Sequence, residues 1–260
     1  MQTAADNSFT ILGSSSGMPQ ATRACSGYLL KTGKSLSLID CGGGVTSSFL
    51  RCGFRPFDVD RVFISHSHPD HCCELPLFIQ MLYLAGRLKP LDIYLPEEFV
   101  EPFRAFMNAV YLLPDKLPFD MNVIGCRDGF AFSDVFRLTM IGNRHLQGYA
   151  DYIDRLRLPN RMQCHSFVIE IDGGKSLFYS ADIRDLNDVA SYLDSHDYVV
   201  IETTHIDLNQ LIEHATAAGM GQFVLTHLGT VDEVDHIRQK IAKGASDRFI
   251  IAYDGLTLEL

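Results

Sequence analysis

The chain has 260 residues, 47% of them hydrophobic and 10% aromatic, with no tryptophan; this composition supports a sizeable core and excludes global disorder. Its formal charge of −10 disfavours broad binding to polyanions, because non-specific phosphate affinity is built from Lys and Arg, but it leaves local phosphate recognition open. No apolar run reaches the roughly 20 residues of a membrane span, the opening MQTAADNSFT lacks a basic and apolar leader, and seven irregularly spaced cysteines do not make a disulfide framework. The expectation is a cytoplasmic protein with reduced thiols and no membrane partner. No repeat, low-complexity tract or linker divides the chain, so one domain over 1–260 is expected.

In chain order, SFTILG, SGYLLKT, SLSLIDCGGG and VDRVFIS read as strands separated by glycine turns. Their alternation is only partial, as in strands buried on both faces. From Glu97 to Leu113, Phe99, Phe103, Phe106, Met107 and Val110 recur at helical spacing behind Pro96, which predicts an amphipathic helix. Strands follow around Phe136 to Ile141 and at SFVIEID, KSLFYSAD and YVVIET. Leu208, Leu211, Ile212 and Ala215 then mark a helix that Gly219 can end. The strand QFVLTH, a helix near Val234, Ile237 and Ile241, and the strand RFIIAYDG close the chain. Two strand-rich halves, each carrying helices, predict a four-layer αββα sandwich of the α/β (α+β) class.

The stretch FISHSHPDHCCELP crowds His66, His68, Asp70 and His71 into six positions directly after a strand. His145 follows RLTMIGNR, Asp182 ends SLFYSA and His227 ends QFVLT, so every strongly ligand-like residue falls at the C-terminal end of a predicted strand. A turn can send His66 and His68 to one side and Asp70 and His71 to another. Imidazole with carboxylate suits Zn²⁺, with iron or manganese as alternatives. Seven ligands are what two divalent ions would use, and the two oxygens of Asp182 could bridge ions roughly 3.5–4 Å apart, the separation at which two metals share a hydroxide.

The H-x-H-x-D-H turn resembles the hallmark of the metallo-β-lactamase superfamily. More narrowly, ILGSSSGMPQATRACSGYLL, LIDCGGG, ISHSHPDHCCELPLFI and AGRLKPLDIYLP are similar to segments of its ribonuclease Z-like branch. The resemblance implies the αββα fold, with His66, His68 and His145 on one metal, Asp70, His71 and His227 on the other, and Asp182 between them. YSAD at 179–182 and VLTH at 224–227 resemble the branch's fourth and fifth motifs, and IETTH at 201–205 resembles its glutamate segment. His205 stands 22 positions before His227, a separation similar to that of the branch's catalytic histidine. His205 would act as general acid oriented by Glu202, while Asp70 helps to orient the hydroxide. The activity implied is hydrolysis of a small-molecule, nucleotide or RNA phosphodiester, and homodimers are common in that branch.

The chain also departs from the branch. DCGGGV replaces DCGEGT, the compact H-x-V-P-S-x-G-Y segment is interrupted between His145 and His165, and Ile201 follows Asp182 by 19 positions where a long tRNA-gripping arm would enter. Processing of tRNA 3′ ends is therefore not implied. His145 and His165 compete for the third-motif position, and His145 is favoured because it follows a strand whereas His165 opens one. Ser14, Ser15, Ser16 and Gly17 form a turn or cradle a phosphate. Arg144, Arg155, Arg157 and Arg161 are a solvated charge run or contact substrate phosphate. Cys72 and Cys73 read as packing, and His165, His196, His214 and His236 as structural or surface residues. Two rival functions remain: the same metals acting on a thioester, lactone or lactam, and a metal-binding sensor without turnover.

Overall fold

The computed structural model describes residues 7–217, 221–243 and 246–260. The first half runs β1 (Asn7–Gly13), β2 (Gly27–Thr32), β3 (Ser35–Cys41), α1 (Val45–Arg51), β4 (Val59–Phe63), α2 (Pro69–Cys72), α3 (Leu75–Leu84), β5 (Leu91–Pro96), α4 (Val100–Ala109) and β6 (Met121–Cys126). The second runs β7 (Ala131–Ser133), β8 (Arg137–Gly142), α5 (Ala150–Leu156), β9 (His165–Glu170), β10 (Leu177–Tyr179), β11 (Tyr198–Glu202), α6 (Leu208–Ala217), β12 (Gln222–Thr226), α7 (Val231–Ile241), β13 (Phe249–Ile251) and β14 (Thr257–Glu259). Two seven-stranded sheets result, ordered β14-β1-β2-β3-β4-β5-β6 and β13-β12-β11-β10-β9-β8-β7. The final strand returns to the first sheet, where Phe9 lies opposite Leu258.

Burial on both faces explains the weak alternation of the sequence. In β2, Tyr28 and Leu30 join the core between the sheets while Leu29 packs with Val45, Phe49 and Phe78 of the helices outside. In β11, Val200 faces the other sheet, while Val199 and Ile201 lie with Leu211, Ala215, Val234 and Ile237 of α6 and α7. The layers are therefore helix, sheet, sheet, helix, an αββα sandwich. Phe63 is fully buried and stacks on Tyr94 with ring centroids 4.5 Å apart; burying such a side chain contributes about 1.5–3 kcal/mol. Among the described residues no helix is long and apolar enough to cross a membrane.

The helix expected from Glu97 to Leu113 is shorter. Only Val100–Ala109 is α-helical, Phe103 and Met107 are buried, and Phe106 and Val110 are exposed. Tyr111 takes φ 60°, which breaks the helix although the apolar spacing continues. Gly219, the expected stop of α6, lies outside the described residues. The strands β6, β7 and β14 are absent from the sequence reading: β6 has an irregular burial pattern, and β7 and β14, with 3 residues each, are too short for their alternation to register.

Parallel pairing runs through β3-β4-β5-β6 and β10-β11-β12-β13, and the ends of those strands form one shared rim, the usual place for a site in such sheets. Two features fix the turn that follows β4. Glu74 accepts hydrogen bonds from Gly44 N (2.6 Å) and Thr46 N (2.8 Å), so its carboxylate caps α1, which has no side-chain cap of its own. At Gly42, a Cβ would lie 1.9 Å from the carbonyl oxygen of Asp70, so the glycine turn after β3 must pass that close to the histidine turn. Because no rotamer change relieves a clash with backbone, Gly42→Ala is expected to cost at least about 3 kcal/mol; chemical denaturation measures this.

Candidate metal centre

The rim gathers all seven predicted ligands into two groups. His66, His68, His145 and Asp182 form one, Asp70, His71, Asp182 and His227 the other, with ligating atoms within 4.8 Å of one another in each. The turn after β4 divides as its spacing suggests: His66 and His68 meet His145 beyond β8, while Asp70 and His71 meet His227 beyond β12. Asp182, just past β10, belongs to both. Its Oδ1 lies 3.2 Å from His71 Nε2 and 3.4 Å from His227 Nε2, and its Oδ2 lies 3.7 Å from His145 Nε2.

These approaches are not hydrogen bonds between the partners. His66 Nε2, His71 Nε2 and Asp182 Oδ1 are buried and lack any hydrogen-bond partner among the described residues, an arrangement costly for an ordinary core. Within the groups only His227 with Asp70 (3.1 Å) and His145 with His68 (3.2 Å) are hydrogen-bonded to one another, and a cation would satisfy the three atoms left without a partner. The donor set of imidazole and carboxylate fits zinc, iron or manganese. No thiol joins it: Cys72 Sγ donates to the carbonyls of Ser67 and His68, and all seven cysteines are free.

The orientation of the rings comes from a layer beneath them that sequence reading missed. The buried carboxylate of Asp40 in β3 accepts from His71 Nδ1 (2.9 Å), Ser65 N (2.8 Å), Ser65 Oγ (2.9 Å) and Tyr179 OH (2.8 Å). Ser65 Oγ in turn lies 3.0 Å from His66 Nδ1. Both imidazoles thereby commit Nδ1 to this layer and turn Nε2 toward the other candidate ligands. Thr204 Oγ1 stands 2.9 Å from His227 Nδ1 and donates to His227 O at 3.0 Å. Asn143 donates to Asp182 O (3.0 Å) and accepts from His145 N (3.1 Å), joining two ligand-bearing segments through one amide. The motifs DCGGG and YSAD contained Asp40 and Tyr179, but nothing in a single strand says which partner lies across the sandwich.

Electrostatics sort the two groups. Burial pushes His66 well below the usual imidazole range, and it takes His145 down to about 4, so these rings are neutral and ready to coordinate. His71 is equally buried, but Asp182 and Asp40 outweigh burial and hold it well above its ordinary value. Asp182 stays ionised against burial because His71 and His227 surround it. The backbone is bent to fit: Asp40, Ala181 and His227 take φ of 55°, 47° and 53°, a left-handed conformation costing about 1–3 kcal/mol each.

Glu202, at the end of β11, is buried and accepts from Thr204 N (2.6 Å), His205 N (2.9 Å) and His205 Nδ1 (3.0 Å). The hydrogen bond to Glu202 raises the pKa of His205. His205 stands with its ring centroid 4.8 Å from that of His145. A cavity of about 900 Å³ opens on His68, Asp70, His145, Asp182, His205 and His227.

The remaining candidates fall outside the centre. His165 contacts Ser65 O through Nδ1 at 3.3 Å and joins neither group. His214 pairs with Asp194 at 2.8 Å. In the serine turn, Ser14 N donates to Asp254, Ser15 N to Ala24 O and Ser16 N to Leu228 O, so the three donors of a phosphate cradle serve the turn instead. Arg144 pairs with Asp188 and Arg161 with Glu97. With four donors on one carboxylate, Asp40→Asn places an amide N–H against groups that already donate; a 10–100-fold loss of metal affinity is expected, to be measured by competition with a chromophoric chelator.

Comparison with known proteins agrees with the geometry. A family model described as Anti-Pycsar protein Apyc1 matches residues 7–227. The chain is 25% identical to Ribonuclease Z of Methanothermobacter thermautotrophicus over 96% of each protein. Its structure resembles the metallo-β-lactamase fold protein YhfI from Bacillus subtilis, with TM-score 0.77 and 23% identity over 98% of this chain and 99% of that one. It also resembles the short form of human tRNase Z, with TM-score 0.66 and 17% identity over 96% and 98%. The chain belongs to the Anti-Pycsar protein Apyc1 family, and it is a ribonuclease Z-like, metal-dependent hydrolase of the metallo-β-lactamase superfamily.

Proposed function

We propose that the protein hydrolyses a phosphodiester at a centre of two divalent ions, zinc foremost. His66, His68 and His145 would hold one ion, Asp70, His71 and His227 the other, and Asp182 both. The observation that carries the two-ion reading is the carboxylate of Asp182, whose Oδ1 turns to His71 and His227 and whose Oδ2 turns to His145. When bound, the ions supply Lewis acidity to the phosphoryl oxygens and lower the pKa of the attacking water.

The chain's own groups do the rest. Asp40, Ser65 and Thr204 hold ring tautomers; Asp70 lines the cavity and is the carboxylate placed to orient the attacking water. His205 has Nδ1 committed to Glu202, so Nε2 is the atom that delivers a proton to the leaving oxygen, and the hydrogen bond to Glu202 raises the pKa of the ring in the direction a general acid needs. Relatives named Ribonuclease Z support a phosphodiester over a carbonyl substrate. A nucleotide-scale substrate is favoured over tRNA, because the segment between β10 and β11 is two short turns, 186–188 and 190–192, whose Leu186, Val189 and Leu193 pack into the core.

Elemental analysis coupled to a panel of a phosphodiester, a thioester and a lactone tests this. Two metal equivalents with phosphodiester turnover well above metal-free background are expected; turnover confined to the thioester or lactone would overturn the reading. Asp182→Ala should lose both metal and activity. His205→Ala should keep its metal while kcat falls about 10²–10⁴-fold, and activity equal to wild type would remove His205 from the mechanism.

A further inference from the structure

The serine turn after β1 carries none of the seven candidate ligands, yet it lies against one group of them and not the other. Ser14, Ser15 and Ser16 are buried, and Ser15 pairs in parallel with Leu228, the residue after His227. Leu228 N donates to Ser14 O at 2.8 Å, and Ser16 N donates to Leu228 O at 3.0 Å. One residue further on, Arg23 donates to Gly229 O. The backbone that leaves His227 in its left-handed conformation, φ 53°, is therefore gripped by the loop that joins β1 to β2.

Gly17 makes the second contact. A Cβ at this position would lie 3.2 Å from Asp70 Oδ2, the same oxygen that meets His227 Nε2 at 3.1 Å. The turn thus borders Asp70 on one side and fixes the chain beyond His227 on the other. Among the described residues no hydrogen bond runs from the segment 14–24 to His66, His68 or His145.

One carboxylate closes that loop. Asp254, between β13 and β14, accepts from Ser14 N (3.0 Å) and Ser14 Oγ (2.9 Å) through Oδ1, and from Ala24 N (2.7 Å) through Oδ2. Hydrogen bonds to an ionised acceptor are about twice as strong as neutral ones, and these three join the two ends of the loop. We infer that Asp254 is a positioning residue for one ion site alone, that of Asp70, His71 and His227, acting through the serine turn on Asp70 and on the backbone of His227. The inference rests on the two-ion reading. Asp40 differs, because it holds His71 directly and His66 through Ser65 and so supports both groups. Asp254 gives the second group a support of its own, so the two ions can differ in how firmly they are kept.

Titration of zinc into the metal-free protein against a chromophoric chelator tests this, with unfolding midpoints of the metal-free proteins measured alongside. The wild type should bind two equivalents. Asp254→Ala should weaken one of them about 10–100-fold and leave the other within about threefold. A double-mutant cycle assigns the loss: it should persist in a His145→Ala background and vanish in a His227→Ala background. Gly17→Ala, at a position whose φ is not left-handed, should weaken the same equivalent by crowding Asp70. Equal weakening of both equivalents, or a loss undiminished in the His227→Ala background, would assign Asp254 to general stability and overturn the inference. Wild-type affinity for both equivalents in Asp254→Ala and Gly17→Ala overturns it too. Should Asp254→Ala fail to fold, Gly17→Ala in the two backgrounds decides by the same criteria. A wild type that binds one equivalent counts against the two-ion reading; the positioning role then stands if the cycle still separates the backgrounds, and falls if it does not.

Discussion

The buried carboxylate of Asp40 is the constraint on which the centre depends. It sits on the first sheet and receives hydrogen bonds from the histidine turn and from Tyr179 on the second sheet, so one side chain ties together the strand ends that carry the candidate ligands. An unpaired carboxylate in that position would be prohibitively costly, and an apolar side chain would leave four donors without an acceptor. The left-handed backbone at Asp40 is the local expense of aiming it there. Relaxing that residue would release the tautomers of His66 and His71 together.

Much of the centre was legible because ligand chemistry is written in residue type and short spacing. His66, His68, Asp70 and His71 announce themselves within six positions, and His145, Asp182 and His227 each end a recognisable strand. The preference for His145 over His165 rested on which end of a strand each occupies, and the two lie accordingly, one within a ligand group and one against Ser65 O. The layered fold was legible for a similar reason, since continuous apolar strands in two runs require cover on both faces.

What could not be read depends on contacts between distant segments. Asn143 looks like a turn residue in GNRH, yet it joins Asp182 to His145. Glu74 looks like a solvated charge in CCELP, yet it caps a helix 30 positions earlier. The same holds for the arginines at 144 and 161, whose partners lie on other elements. Helical periodicity overreached at 110–113, because apolar spacing persists where Tyr111 has already turned the backbone. Edge strands such as β7, with three residues and no buried side chain, carry too little pattern to register at all.

The seven converging side chains divide between the sheets: four come from the first and three from the second, with Asp182 common to both groups. During synthesis, a chain extended only through β6 therefore offers two incomplete fragments of a site without Asp182 to join them. The centre comes into being only when residues some 160 positions apart in sequence, His66 and His227, are brought together by closure of the sandwich. Retention of a divalent metal would then report on closure of the sandwich, and a misfolded or truncated chain would be marked by its failure to hold it.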